Sequence, residues 1–211
     1  MSLRFILILA LASAFITLPT FASSKPEARL GLTTSRIKTT WVENSEHYYG
    51  EDWNLNGVGY SYGKNIQRLS GIELSWKGEF DFFPLSRWSN WRQYDGASIA
   101  LRAAGSFEGE WSLHPRFKTS LGLTAGYTWA LRLGSNSYSV PYQEAFSVSL
   151  ITVGPTLQVT FPLPQGSPMK EMGVEFRAGM IELLVFTSNW IEYNPVPGDW
   201  SDHQITLWFD F

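Results

Sequence analysis

The chain has 211 residues, a formal net charge of −3 and no cysteine. The acidic balance argues against a nucleic-acid binder, which would carry a basic face. The missing cysteines exclude disulfides, thiolate-bound metals and a thiol nucleophile. Aromatic residues make up 16% of the chain and charged residues only 17%, which argues against disorder.

Residues 1–23 have the pattern of a secretory signal peptide. Arg4 supplies the positive start, 5–18 form an uncharged and largely apolar stretch, and small residues follow at 22–23. The apolar stretch is shorter than the ~20 residues that a membrane-spanning helix needs, which disfavours a permanent anchor. We therefore expect residues 1–23 to be cleaved and residues 24–211 to form a single exported domain.

The exported part alternates between large apolar positions and small or polar positions, which is the period of a β-strand. Residues 117–132 show the pattern most clearly, since their odd positions are large and apolar. Similar segments predict about eight strands, at 28–41, 54–65, 71–83, 97–111, 117–133, 146–162, 171–186 and 201–211. The phase slips near 150–151 and 180–181, which predicts β-bulges there.

The connections between these strands alternate between long and short. They cover 42–53, 66–70, 84–96, 112–116, 134–145, 163–170 and 187–200. In an up-and-down antiparallel barrel, this alternation places every long loop at one end and every short turn at the other. Transmembrane barrels have this asymmetry, with long extracellular loops and short periplasmic turns. An even number of strands then leaves both chain termini at the periplasmic end.

The alternation alone is also compatible with a soluble barrel that is apolar inside, such as a lipocalin. Two features of the polar face favour the inverted, membrane arrangement. The face is rich in glycine, alanine and serine, which fit the narrow interior of eight strands. It also carries charges of both signs, which can pair inside the barrel. The charged residues that we assign to the interior are Glu73, Lys77, Arg102, Glu108, Lys118, Arg132, Glu175 and Arg177.

The last predicted strand places Ile205, Leu207, Phe209 and the terminal Phe211 on one face. A final strand with alternate apolar residues and a C-terminal Phe resembles the assembly signal of Gram-negative outer-membrane proteins. Together with the signal peptide and the period of two, it makes the chain, over about residues 28–211, similar to the small eight-stranded outer-membrane barrels, the class of the OmpA transmembrane domain, OmpX and OmpW.

This resemblance implies an all-β fold, an eight-stranded antiparallel transmembrane β-barrel inserted into the outer membrane by the barrel-assembly machinery. It also implies contact with outer-membrane lipids and lipopolysaccharide. We expect a monomer with both termini in the periplasm, and we expect no cofactor, metal or nucleic acid. The resemblance is architectural, and no stretch of the chain matches one particular member of the class.

One set of residues has the composition of an acyl-transfer site. Ser201 and His203 share a face of the last strand, and Glu192 lies in the preceding loop, so a nucleophile, a base and an acid occur together. A lipid A deacylase barrel uses these residue types near its outer rim, with the histidine before the serine; here the order is reversed. Side chains two residues apart on a strand also stand about 7 Å apart, too far for a direct hydrogen bond.

Arginine and tryptophan are interleaved in the second predicted long loop, at Arg87, Trp88, Trp91 and Arg92. The arginines suit lipopolysaccharide phosphates, and the tryptophans suit the membrane interface. The leading hypothesis is a non-enzymatic surface protein whose loops bind envelope components or an external partner. The alternatives are an enzyme that modifies the acyl groups of lipid A or phospholipid, and a narrow channel for small solutes. The charged interior disfavours the channel.

Overall fold

The computed structural model describes residues 27–43, 47–90, 95–114, 116–133, 147–187, 194–195 and 201–211. The predicted signal peptide, Glu192, Trp91 and Arg92 lie outside these residues. The strands are β1 Glu27–Glu43, β2 His47–Leu69, β3 Ile72–Asn90, β4 Asp95–His114, β5 Phe117–Arg132, β6 Ser147–Pro162, β7 Glu171–Ala178, β8 Ile181–Thr187, β9 Asn194–Pro195 and β10 Ser201–Asp210.

These strands form one antiparallel sheet that closes on itself. Each strand from β1 to β6 pairs with the next along the chain, and β10 closes the barrel by pairing with β1. β7 and β8 both pair with β6 and together make one wall of the barrel. β9 is a two-residue bridge to β1. The closed eight-stranded antiparallel barrel predicted from the alternation is therefore confirmed. Among the described residues, no helix is long and apolar enough to span a membrane.

The barrel has two different ends. The first residue of β1 and the last residue of β10 lie at the terminus end, where Ser70 and Gly71 join β2 to β3. Both have positive φ angles, 51° and 90°, as a tight two-residue hairpin requires. The opposite end, where β1 stops and β2 starts, is called the loop end below.

Three strands continue further toward the loop end than the sequence predicted. β2 begins at His47, β3 continues to Asn90 and β4 begins at Asp95, so most of 42–53 and 84–96 is strand rather than loop. The prediction of two long connections there was wrong because pairing between neighbouring strands continues beyond the apolar part of the pattern. Polar residues can extend a strand wherever a neighbour satisfies their backbone hydrogen bonds.

Both predicted slips of phase correspond to irregularities in the barrel. The pairing of β6 with β8 shifts between Ser149 and Leu150, whose side chains are both buried, and residues 179–180 interrupt the wall between β7 and β8. A further shift, not predicted, lies in β3 between Phe83 and Ser86. One extra residue there reverses the orientation of the side chains that follow.

Over most of its height the barrel is polar inside and apolar outside. In β7, Glu175 and Arg177 are buried, whereas Val174 and Phe176 are exposed. The same arrangement recurs around the barrel, with exposed side chains that include Leu30, Leu32, Val58, Tyr60, Phe80, Phe107, Leu121, Leu123, Leu157 and Ile205. We call this apolar outer surface the belt.

The interior changes character toward the loop end, where an apolar cluster fills it. We call this cluster the cap; it consists of Ile37, Trp53, Leu55, Phe83, Trp88, Ala100, Ala130 and Leu150. β1 shows how the two interiors join. Leu30 and Leu32 point outward and Ile37 points inward without a slip in phase. The apolar residues of β1 therefore change from the outward to the inward face along the strand, because the surroundings of the strand change. The backbone itself remains regular.

Candidate functional site

An ionic network occupies the interior of the barrel beneath the cap. At its centre the guanidinium of Arg177 donates hydrogen bonds to the carboxylates of Glu79 and Glu175. Glu175 also accepts hydrogen bonds from the indole of Trp208 at 2.8 Å and the hydroxyl of Thr156 at 3.2 Å. All five side chains are buried. Removing one member would leave a buried charge without its partner, which is the costly state for such a pair.

A second group of contacts surrounds Lys77. Its ammonium donates to Glu108 Oε2 at 2.5 Å and to Gln158 Oε1 at 2.6 Å. Glu108 also accepts hydrogen bonds from Ser106 at 2.8 Å and Ser120 at 2.9 Å. The carboxylate is therefore satisfied by donors from three neighbouring strands, β3, β4 and β5.

The third group connects the last strand to the opposite wall. Gln204 of β10 accepts a hydrogen bond from Arg102 and donates one to Asp81 Oδ2 at 2.9 Å. Asp202 lies 3.4 Å from Arg102 and accepts a hydrogen bond from Ser35 at 2.8 Å. These contacts cross the lumen, so they hold the wall formed by β10 and β1 against that formed by β3 and β4.

Three carboxylates of the network are close enough to suggest a metal site. Oxygen atoms of Glu79, Glu108 and Glu175 lie within 4.8 Å of one another. All three already have a cationic partner: the ammonium of Lys77 pairs with Glu108, and the guanidinium of Arg177 is shared by Glu79 and Glu175. The arrangement therefore functions as a set of internal ion pairs.

The sequence-predicted interior residues fall into three groups. Five are buried inside the barrel: Lys77, Arg102, Glu108, Glu175 and Arg177. Glu73 and Lys118 are half-buried at the terminus end, where Lys118 contacts Glu171 at 2.8 Å. The side chain of Arg132 lies outside the described part of the chain. Asp202 and Gln204 were not selected from the sequence, although strict alternation in the last strand places both inside.

Little space remains within this network. A cavity of about 10 Å³ lies between Arg102, Thr124, Thr152, Arg177 and Asp202, which is room for about one water molecule. Above it, Trp53 and Trp88 of the cap are 1% and 2% exposed. The side chains of the network and of the cap therefore occupy much of the described interior.

Trp88 lies in a different place from the one expected of it. We expected it at the membrane interface beside Arg87, but its side chain is inside the barrel, in the cap. The extra residue between Phe83 and Ser86 reverses the alternation, so Trp88 turns inward and Arg87 turns outward.

The predicted acyl-transfer residues are only partly described. His203 is exposed on the outer surface, where its ring stacks on Phe176 with centroids 6.3 Å apart and planes at 26°. The backbone of Ser201 pairs with Lys38, whereas the side chain of Ser201 and all of Glu192 lie outside the described part. Asp202, the acid between Ser201 and His203, points inward. The acyl-transfer site therefore stays a prediction.

The closed sheet, its polar filled interior and its apolar belt define the class of protein: a small eight-stranded β-barrel with inverted polarity. No protein-family model and no curated protein matches the chain.

Solved structures similar to the barrel include outer-membrane proteins. Ail, the attachment invasion locus protein of Yersinia pestis, is 11% identical, with 88% of this chain and 97% of that one covered and a TM-score of 0.49. The outer membrane protease OmpT of Escherichia coli is 10% identical, with 92% and 99% covered and a TM-score of 0.47. Neisserial surface protein A is 9% identical, with 89% and 96% covered and a TM-score of 0.44. Similarities this low transfer no ligand or activity to this chain.

Proposed function

We propose that the protein is an integral barrel of the bacterial outer membrane and acts as a non-enzymatic surface protein. The observation that carries this proposal is the belt around a polar, filled interior. Phe107 and Leu123, on neighbouring strands, expose 53% and 65% of their surface. A continuous apolar surface of this kind would cause aggregation in water, whereas in a bilayer it contacts the acyl chains.

The ends of the chain support export and assembly at the outer membrane. Residues 1–23 have the pattern of a signal peptide. Phe209 lies near the end of β10, and Phe211 follows this strand and is more than half exposed at the terminus end. We assign this end to the periplasm and these two residues to recognition by the barrel-assembly machinery. Because β10 pairs with β1 and closes the sheet, the proposal includes a monomer.

The filled interior favours a scaffold over a channel. The ion pair of Arg177 with Glu79 and the hydrogen bond of Lys77 to Gln158 cross the lumen, and the cap lies above them. An ion would have to break several charge-assisted hydrogen bonds to pass. The exposed part of the protein at the loop end is then the part available for binding envelope components or an external partner.

A lipid-modifying enzyme is the second candidate, and one observation favours it. His203 is exposed two residues from Ile205, at the edge of the belt, where it can reach the headgroup region of a lipid. In this proposal Ser201 is the nucleophile, His203 the base and Glu192 the acid. Mass spectrometry of lipid A and phospholipids from cells with and without the gene tests it. Unchanged acyl chains would eliminate the enzyme.

The leading proposal is tested on the purified protein in detergent and in vesicles. Unboiled and boiled samples should migrate differently on a detergent gel, because the barrel resists unfolding until it is heated. The unboiled protein should insert into lipid vesicles and produce no single-channel events in planar bilayers. Identical migration, or failure to insert, would contradict the membrane barrel; a steady conductance would contradict the filled scaffold.

A further inference from the structure

Charged and polar side chains form a continuous row across the outer surface near the loop end. His203 of β10 pairs with Arg36 of β1, Arg36 pairs with Asn54 of β2, and Asn54 pairs with Arg87 of β3. All four side chains are exposed. Directly paired side chains on one face of a sheet lie about 5 Å apart, and the row crosses four strands, a width of about 14 Å. Lys38, exposed two residues beyond Arg36, extends it.

The row has a net positive charge. Arg36, Lys38 and Arg87 each contribute a cation, while Asp52 is the acid beside them. Asp52 accepts a hydrogen bond from Arg36 Nε at 2.9 Å through Oδ1 and one from Arg36 Nη2 through Oδ2. One carboxylate compensates only one of the three cations. We call Arg36, Lys38, Asn54, Arg87 and His203 the basic patch.

The basic patch lies next to the belt. Toward the terminus end, the next outward side chains are the exposed Leu85 on β3 and Ile205 on β10, whereas on β1 and β2 the polar Thr34 and Asn56 come first and are followed by the exposed Leu32 and Val58. A ligand that covers both surfaces must therefore have an anionic part at the loop end and an apolar part beneath it.

Among the described residues, the patch does not continue onto β4 and β5. On β4 and β5, the outward positions near the loop end are Ile99, Leu101, Trp129 and Leu131, all apolar. General attraction to an anionic membrane surface would favour cations all around the barrel. A patch that crosses β10, β1, β2 and β3 and stops before β4 is better suited to a single ligand lying against these strands.

We propose that the basic patch binds the phosphorylated headgroup of lipid A, whose acyl chains then lie on the belt beneath it. This inference rests on the proposed location in the outer membrane. Lipid A carries a phosphate at each end of a disaccharide, and its several acyl chains cover neighbouring strands. Arg36 and Arg87 bind phosphate oxygens by charge-assisted hydrogen bonds, and Lys38 adds a third cation. Asn54 and His203 supply polar contacts between them.

The proposed site differs from the one suggested by the sequence alone. Arg87 belongs to both. Trp88 is excluded because it lies inside the barrel, and Arg36, Lys38, Asn54 and His203 come from strands that the sequence did not bring together. A signal was nevertheless present: Arg36 and Lys38 continue the outward alternation of Leu30 and Leu32, and thus mark the end of the belt on β1.

The test compares two triple variants that lose the same charges. Arg36→Gln, Lys38→Gln and Arg87→Gln remove the cations of the patch. Arg68→Gln, Arg116→Gln and Lys170→Gln remove two arginines and one lysine that are exposed at or near the terminus end. Binding of bisphosphorylated lipid A to each purified barrel is measured by native mass spectrometry in detergent, with phosphatidylglycerol as the competing anionic lipid.

We expect the unaltered protein to bind lipid A at least about tenfold more tightly than phosphatidylglycerol. The patch variant should lose at least about tenfold in lipid A affinity, and the control variant less than about twofold. Asp52→Asn should increase the affinity severalfold, because it removes a negative charge that lies beside the patch and pairs with Arg36. Equal losses in the two triple variants would overturn the site, and equal affinity for phosphatidylglycerol would overturn the assignment to lipid A.

The same samples separate this inference from the proposed function. Variants that keep the unboiled mobility of the unaltered protein are folded, so their affinities report on the patch. If the unaltered protein shows no heat-dependent mobility and does not insert into vesicles, the membrane barrel fails. If the protein inserts but binds lipid A no more tightly than phosphatidylglycerol, only the proposed lipid A site is contradicted.

Discussion

The belt region and the loop-end region of β1 and β2 are built from the same continuous strands with opposite chemistry. In the belt region, Leu32 and Val58 point outward while Thr33 and Ser61 are buried. Nearer the loop end, Arg36 and Asn54 point outward, and Ile37 and Trp53 are buried. The backbone phase is unchanged between them. Apolar side chains thus lie on the outward face of a strand in one region and on the inward face of the same strand in the other. Such an exchange of faces, without a change in backbone phase, indicates that the surroundings of the strand change along its length.

The two interiors also differ in what stabilises them. Charge-assisted hydrogen bonds hold the walls together in the belt region, whereas apolar packing does so in the cap. A polar interior is favourable only when its charges are paired, and an apolar one only when it is closely packed. Substitutions in the two regions should therefore destabilise the barrel for different reasons.

The largest expected effect comes from breaking the network at its centre. Arg177→Met removes the guanidinium and leaves Glu79 and Glu175 buried without their shared cation. We expect a loss of about 3–5 kcal/mol in the free energy of unfolding, measured by urea titration of the barrel in lipid vesicles. Arg68→Met, on an exposed side chain at the terminus end, is the control and should change stability by less than about 1 kcal/mol. Similar losses in both variants would contradict the network.

Truncation in the cap tests the apolar interior. Leu55→Ala removes a fully buried side chain from the cluster. The expected loss is about 2–5 kcal/mol, from lost apolar burial and the cavity left behind. The same urea titration measures it, and Leu69→Ala, on an exposed leucine next to the hairpin at the terminus end, serves as the matched control. A neutral Leu55→Ala would mean that the cap is loosely packed.

An arginine introduced on the belt and another introduced at the loop end test whether the two outer surfaces have different surroundings. Leu123→Arg places a guanidinium on the belt, where contact with acyl chains should cost about 2–4 kcal/mol. Asn54→Arg adds the same side chain at the loop end and should cost no more than about 1 kcal/mol, the value near the membrane interface. Unfolding in vesicles again gives the difference. Equal effects would place both residues in the same environment and contradict the boundary between belt and patch.

The smallest effect is expected at the surface ion pair between Arg36 and Asp52. The side chain of Arg36 is 54% exposed, so water and salt screen the pair. Asp52→Asn should change stability by less than about 1 kcal/mol while increasing lipid A affinity. A large destabilisation would show that Asp52 supports the fold, and the gain in affinity would then require a different explanation.

The sequence predicted the barrel well because alternation is a local property. Residues 117–132 and 147–162 match their predicted strands closely, since most of their outward side chains are apolar. The boundaries of β2, β3 and β4 were predicted less well, because their polar ends are held by pairing rather than by burial. The cap was missed entirely, because Ile37, Trp53 and Phe83 look like interruptions of the pattern until the strands are placed side by side.

By itself, the order of residues determined that the chain forms antiparallel strands with one polar and one apolar face. The mean hydropathy of the chain does not reveal these faces, because their contributions cancel. The tertiary structure decided which side chains meet across the lumen and which share a patch outside. Gln204 reaches Asp81 across 123 residues of sequence, and His203, Arg36 and Arg87 share a row only because the barrel closes in one register. The orientation of Trp88 depends on a single extra residue in β3. Closure and register involve pairs of residues far apart in the chain, so alternation within one strand does not specify them.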